Sequence, residues 1–305
     1  MLLPVEIGPG PRAPAGQLTF SQARVSSRNA FKSLTLSLQI QAACSLDANV
    51  PIRKLGVEKA NLTKIMFSRI GIIGDVHAQH HHLELALQHL ATQDVDIVLC
   101  TGDIVDGEGD VDTCVNLLKS ADVQTVRGNH DRWVLQDKAR HVRNAHFKSD
   151  LSDDVIDYLS ALPVQLHLPT TAGQLLLCHG VGHQDLRKVW PGTERMAAER
   201  SAELDDLIAQ NHLRLMVNGH MHYRTLIHFD TLTLLNAGTV KGDHRPGFSI
   251  MDLRDDLVHG YELFADSADP VRHVKTLSLA SNDHHQIFKD TSHFDDRWEP
   301  VTLYA

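Results

Sequence analysis

From residue 69 onward, short apolar runs alternate with amphipathic stretches. The runs at 70–73, 95–99, 123–126, 175–178 and 215–217 are dominated by Ile, Val and Leu. Runs that short suit buried strands better than helices. Between the first two, residues 80–91 set Leu83, Leu87 and Leu90 at helical spacing, with Ala86 beside them. Residues 110–120, 152–162 and 194–210 carry similar helical patterns, and Ser152 stands where a helix cap is needed. Strands and helices in alternation predict βαβ units and an α/β fold. After Gly219 the pattern changes to strands, at 225–229, 232–235, 248–251 and 257–264, with Asp230 as a hairpin turn between the first two. No internal repeat is evident.

The polar residues that follow these runs change the picture from fold to chemistry. Each of the five early strands is followed within a few residues by a glycine and a metal-binding side chain. The blocks are Asp75-Val76-His77, Gly102-Asp103-Ile104-Val105-Asp106, Gly128-Asn129-His130-Asp131, His179-Gly180 and Gly219-His220-Met221-His222. With 21 histidines in the chain, any one His pair means little. Five strand ends delivering ligands to one rim mean much more, because sites in open α/β sheets gather beyond the carboxyl ends of the strands. The donors are carboxylate and amide oxygens and imidazole nitrogens, with no thiolate. That set suits Mn, Fe or Zn rather than a structural cysteine-type zinc site. Pairs of such ions, about 3.5–4 Å apart, serve phosphatases and nucleases.

In content and order, the blocks resemble the signature of the calcineurin-like metallophosphoesterase superfamily, with the small phosphodiesterase-type members as the nearer pattern. The resemblance covers roughly residues 69 to 253. It implies a four-layer α-β-β-α sandwich, two sheets face to face with helices outside. It also implies a first ion held by Asp75, His77, Asp103 and His222. A second would be held by Asp103, Asn129, His179 and His220, with Asp103 bridging. His130 would protonate the leaving group or contact the phosphate, with Asp106 as its partner, and Arg127 would contact the phosphate. The chemistry agrees: two cations sharing a carboxylate acidify water to a hydroxide nucleophile, and an imidazole near pH 7 is a suitable acid. The expected activity is metal-dependent hydrolysis of a phosphodiester or phosphomonoester with two divalent ions, manganese favoured. Dinucleoside polyphosphate hydrolysis, protein phosphatase activity and a metal-bearing protein-interaction scaffold are the alternatives. Ala78, Gly107 and Asp131 depart from the protein phosphatase pattern. Scaffold members typically lose the histidine that is kept here as His130.

Composition bounds the setting. The formal net charge of −9 argues against a surface that coats nucleic acid. No run approaches the roughly 18 apolar residues of a membrane span. Cys44, Cys100, Cys114 and Cys178 show no Cys-x-x-Cys spacing, which points to a reducing, cytoplasmic setting. The charge is uneven: residues 1–65 carry +5 and the rest −14. Pro4, Pro9, Pro11 and Pro14 lie among Gly8, Gly10 and Gly16. The expected organisation is therefore a disordered or non-catalytic extension over 1–65, a catalytic domain over 66–268, and a polar tail over 269–305.

Other conspicuous residues take plainer roles. His80, His81 and His82 suit the polar start of a helix at the site mouth. His284, His285 and His293 suit a solvated tail. Trp133 suits packing, with base stacking as the alternative, and Trp190-Pro191-Gly192 suits a loop, with part of a lid as the alternative. Asn236-Ala237-Gly238-Thr239 suits a tight turn supporting the site. A phosphate ester, possibly a nucleotide, is the expected substrate.

Overall fold

The computed structural model describes residues 66–190, 201–229, 231–242, 245–280 and 285–287. The expectations for 1–65, Asp230, His284 and His293, and for the start of the helix at 194, lie outside these residues.

Two six-stranded sheets carry the site. In the first, β1 (Arg69–Ile73) pairs in parallel with β2 (Ile97–Cys100), and β2 with β3 (Gln124–Thr125). On its other side β1 pairs antiparallel with β9 (Gly247–Asp252), followed by β10 (Leu257–Leu263) and β11 (Val271–Ser278). In the second sheet, β5 (Gly173–Cys178), β6 (Leu215–Asn218) and β8 (Thr233–Ala237) are parallel. β4 (Gln165–Thr170) flanks β5 antiparallel, and β7 (Arg224–His228) and β12 (His285–Ile287) complete the opposite side.

Strand alternation explains the layers. Ile73, Cys100, Phe248 and Ile250 cluster with Leu83, Ala86 and Leu90 of α1 (His80–Ala91), with Val115 and Leu118 of α2 (Val111–Ser120), and with Val155 and Leu159 of α4 (Asp153–Ala161). On the second sheet Leu176, Met216 and Leu234 cluster with Leu204 of α5 (Ala202–Gln210). The alternate residues Ile70, Ile72, Leu99 and Met251 of one sheet are fully buried, as are Leu175, Leu177, Val217 and Leu235 of the other. They fill the layer between the sheets. Arg224 crosses that layer from β7 and donates to Phe248 O (3.2 Å) and Tyr261 O (2.8 Å) of the opposite sheet. The order is helix, sheet, sheet, helix.

Several elements differ from expectation. The run at 123–126 shrinks to a two-residue strand, and β4 was not foreseen because Pro169 interrupts its pattern. The seven-residue α3 (Asn129–Leu135) was also missed, being too short for periodicity to register. The segment beyond 268, set apart as a tail by its polarity, supplies the outermost strand of each sheet. An edge strand with an exposed face reads as polar, which is why β11 looked like tail. Residues 225–229 and 232–235 form the expected hairpin as β7 and β8. Among the described residues, no helix is long and apolar enough to cross a membrane. Cys100, Cys114 and Cys178 are buried and free.

Candidate metal centre

All five blocks converge where the parallel strands end. Asp75 and His77 follow β1, Asp103 follows β2, and Asn129 opens α3 after β3. His179 follows β5, and His220 and His222 follow β6. Turning the chain this tightly requires unusual backbone. His77, Ala78, Asp103, Asp106, His220 and His222 all have φ between 47° and 68°. Left-handed backbone at a non-glycine residue costs on the order of 1–3 kcal/mol. Its concentration in these blocks shows stability given up to aim side chains. The motif glycines have a steric reason. A Cβ on Gly219 would lie 2.2 Å from Asp75 Oδ1, and one on Gly128 2.1 Å from Asp103 Oδ1.

Hydrogen bonds fix which atoms face inward. Asp75 Oδ1 accepts from Thr101 Oγ1 (2.9 Å), and Asp75 Oδ2 accepts from the His220 N–H (2.9 Å). Asp103 Oδ1 accepts from the His130 N–H (2.8 Å). Its Oδ2 faces His179 Nε2 at 3.3 Å and His77 Nε2 at 3.9 Å. His77 Nδ1 lies 2.9 Å from Asp106 O, and His179 Nδ1 lies 2.8 Å from Thr101 O. Carbonyls can only accept, so both rings carry a proton on Nδ1 and turn Nε2 inward.

These inward atoms then lie close to one another. His77 Nε2 is 3.0 Å from His222 Nε2, which is 3.2 Å from Asp75 Oδ2. His179 Nε2 is 3.0 Å from Asn129 Oδ1, whose buried Nδ2 has no hydrogen-bond partner. Acceptors gathered so closely are satisfied by cations, so the donor set fits metal ions. Three overlapping groups keep their ligand atoms within 4.8 Å of one another: Asp75, His77 and His222; His77, Asp103 and His130; Asp103, His179 and His220. The first group contains three of the four residues expected to hold one ion, and the third contains three of the four expected to hold the other. The second brings His130 within reach as well. Asp75, His77, Asp103, Asn129 and His179 are buried, while His130, His220 and His222 are half-buried, leaving one side open.

Without an ion, burial and neighbouring charges set the ionisation of these side chains. Burial drives His77 and His220 down to about 4, with His222 and His179 respectively adding to the effect. Burial also opposes charge on His179, but Asp103 and Asp75 overcome it and push that imidazole up to about 10. Asp103 is held well below the usual carboxylate range by His179, His130 and His77 in spite of its burial. The stability of metal-free protein is therefore expected to peak near pH 6.5. His77 and His220 contribute stability above their ordinary 6.5 that is lost as pH falls towards about 4. His179 contributes stability below 6.5 that is lost as pH rises towards about 10. Asp131, raised to about 6 by burial and Asp103, blunts the acid limb because its contribution fades as pH rises from 3.8. Thermal melts of chelated protein across this range check the profile, and a curve still rising above pH 8 would contradict it.

His130 and Asp106 form a pair, with Nδ1 2.7 Å from Oδ2. Burial alone would lower the His130 pKa, but the Asp106 hydrogen bond and Asp103 raise it. His130 Nε2 looks inward, 4.0 Å from Asp103 Oδ2. The Trp133 ring lies 4.9 Å from the His130 ring, so the tryptophan borders the site. Arg127 is half-buried beside Gly128, with its backbone N–H on Pro163 O. Among the described residues no ion pair engages its guanidinium.

Other residues support the ligands, and some of them escaped sequence reasoning. Asp131 is buried and accepts from the Ile104 N–H (2.7 Å) and the Gly128 N–H (2.9 Å), locking two ligand loops together. Arg132 of α3 clasps Asp185 of the loop after His179, at 2.6 and 2.9 Å. Arg140 and His146 surround Asp106. The motif Asp131 was visible in sequence; Arg140 and Asp185 gave no signal.

Residues 236–239 support the site as expected, but as the end of β8 and a bridge from Thr239 to Asp75 rather than as a tight turn. Asn236 Nδ2 donates to Gly219 O (2.8 Å), and Thr239 Oγ1 donates to Asp75 O (2.7 Å). His80 and His81 begin α1, with His80 Nδ1 accepting from the Asp110 N–H. Trp190 is fully buried; Pro191 and Gly192 lie outside the described residues.

Similarity to known proteins covers the same part of the chain. The calcineurin-like phosphoesterase superfamily domain matches residues 69–256. An uncharacterised protein of Methanocaldococcus jannaschii is 21% identical over 206 residues, covering 62% of this chain and 84% of its own. A metallophosphoesterase structure from Sphaerobacter thermophilus is 21% identical, covering 68% of this chain and 89% of that one, with a TM-score of 0.49. An E. coli phosphoesterase structure is 17% identical, covering 69% and 99%, with a TM-score of 0.42.

Proposed function

The chain belongs to the calcineurin-like phosphoesterase superfamily, and we propose that it is a binuclear metal-dependent phosphoesterase that prefers phosphodiesters. The observation that carries this reading is Asp103 Oδ2, which lies within 4 Å of both His179 Nε2 and His77 Nε2. One carboxylate oxygen so placed is suited to bridge. Asp75, His77, Asp103 and His222 would hold one divalent ion, manganese favoured, and Asp103, Asn129, His179 and His220 the other. When bound, the ions supply positive charge for the phosphate oxygens and acidify a water to serve as nucleophile.

The chain's own residues do the rest. Asp106 fixes Nδ1 of His130 and leaves Nε2 on the inward side, where a proton can pass to the departing oxygen. Arg127, beside Gly128, would contact the phosphate. This intact acid pair favours catalysis over a metal-bearing scaffold. The buried free thiols support a reducing, cytoplasmic setting. A turnover screen with manganese tests the reading, comparing phosphate monoesters, linear and cyclic diesters and dinucleoside polyphosphates. A bis-aryl phosphodiester is expected to be cleaved faster than the matching monoester. Monoesterase kcat/KM higher by about tenfold or more would sink the diester preference.

A further inference from the structure

Asp106 is held from three directions. Its Oδ2 takes His130 Nδ1 at 2.7 Å and Arg140 Nη2 at 2.9 Å. Its Oδ1 accepts from Arg140 Nη1 and from the His146 N–H, each at 2.8 Å. Its backbone N–H donates to His146 Nδ1 at 3.0 Å. The guanidinium is thus a two-pronged clamp on a carboxylate whose side chain is fully buried; the Arg140 side chain is itself 9% exposed. Arg140 is fixed in turn. Its Nε donates to Lys138 O (2.7 Å), and Nη1 also donates to His146 O. The loop that carries it folds back on the ligand loop, with Asn144 Nδ2 on Glu108 Oε1 at 3.1 Å.

We propose that Arg140 is a positioning residue for His130, acting through Asp106. Without the guanidinium the carboxylate keeps only the imidazole and the His146 N–H, and it can rotate and take the ring with it. Two parallel hydrogen bonds from a planar fork fix the carboxylate plane. That plane sets the line of the Oδ2···Nδ1 bond, and the line sets where Nε2 points. Arg140 also balances the Asp106 charge, so the pair is buried without an unmatched carboxylate. The inference rests on the assignment of His130 as proton donor. It adds a residue from outside all five sequence blocks, 34 positions after Asp106.

The test compares Arg140→Gln and His130→Asn across a series of diesters with leaving groups from nitrophenolate to alkoxide. Arg140→Gln should keep the wild-type metal content and KM. Its kcat should fall by about 10–10²-fold for alkoxides and less than about threefold for nitrophenolate. In metal-free protein labelled with ¹⁵N-histidine, the Nδ1–H signal that disappears in His130→Asn should broaden and exchange faster in Arg140→Gln. Equal losses on every leaving group, or an unchanged Nδ1–H signal, overturn the proposal. If His130→Asn still discriminates between leaving groups, the assignment of the proton donor survives that failure. If His130→Asn also shows no discrimination, both ideas fall together. Should Arg140→Gln fail to fold, Arg140→Lys carries the same comparison, keeping the charge but not the second parallel hydrogen bond.

Discussion

Asp103→Ala is expected to empty both proposed metal positions and to lower turnover by more than about 10³-fold. The reason lies in where the two carboxylate oxygens go. Oδ1 accepts from the His130 N–H at 2.8 Å, which fixes the side chain's orientation. Oδ2 is then held between His179 Nε2 at 3.3 Å and His77 Nε2 at 3.9 Å, one from each ligand group. Alanine removes an anionic ligand from both groups and leaves His179 without the partner that contributes most to keeping it charged. Asp103→Asn is the gentler form. It keeps the shape and one oxygen, so it should fold while binding metal weakly. Elemental analysis of Asp103→Ala with two ions retained would reject the bridging role.

His130→Asn is expected to keep both ions and to lower kcat far more for poor leaving groups than for nitrophenolate. General acid catalysis is worth about 10²–10⁴-fold, and that factor should appear where the departing oxygen is strongly basic. A nitrophenolate leaves with little help, so its loss should be small. Asp106→Asn should give a milder version of the pattern, since it disturbs the orientation and charge of His130 without removing the proton. Equal losses on every leaving group would make His130 a phosphate contact. Loss of an ion would make it a ligand, an outcome its nearness to His77 and Asp103 keeps open to measurement.

The sequence made the site more legible than its surroundings. The seven expected ligands come together because glycine, carboxylate and imidazole at strand ends are demanded by sterics and coordination, and such demands leave local patterns. Gly219 and Gly128 show this directly: each stands where a Cβ would strike a carboxylate. The helix over 80–91 was equally plain, because Leu83, Ala86, Leu87 and Leu90 repeat on one buried face. What escaped is what long-range contact decides. Arg140 meets Asp106 across 34 residues and Arg132 meets Asp185 across 53, with no spacing rule to announce either pair. β11 was hidden because its outward residues are polar, and α3 because seven residues hold too few turns for a periodic signal.

Under the proposed mechanism, two divalent ions shared through Asp103 drive hydrolysis. The most direct test is a titration of chelated protein with manganese, following turnover of a bis-aryl phosphodiester alongside bound metal. No turnover is expected without metal, and turnover should rise until two ions per chain are bound. Full turnover in the chelated protein, or saturation at a single ion with the second position never filling, would contradict the mechanism.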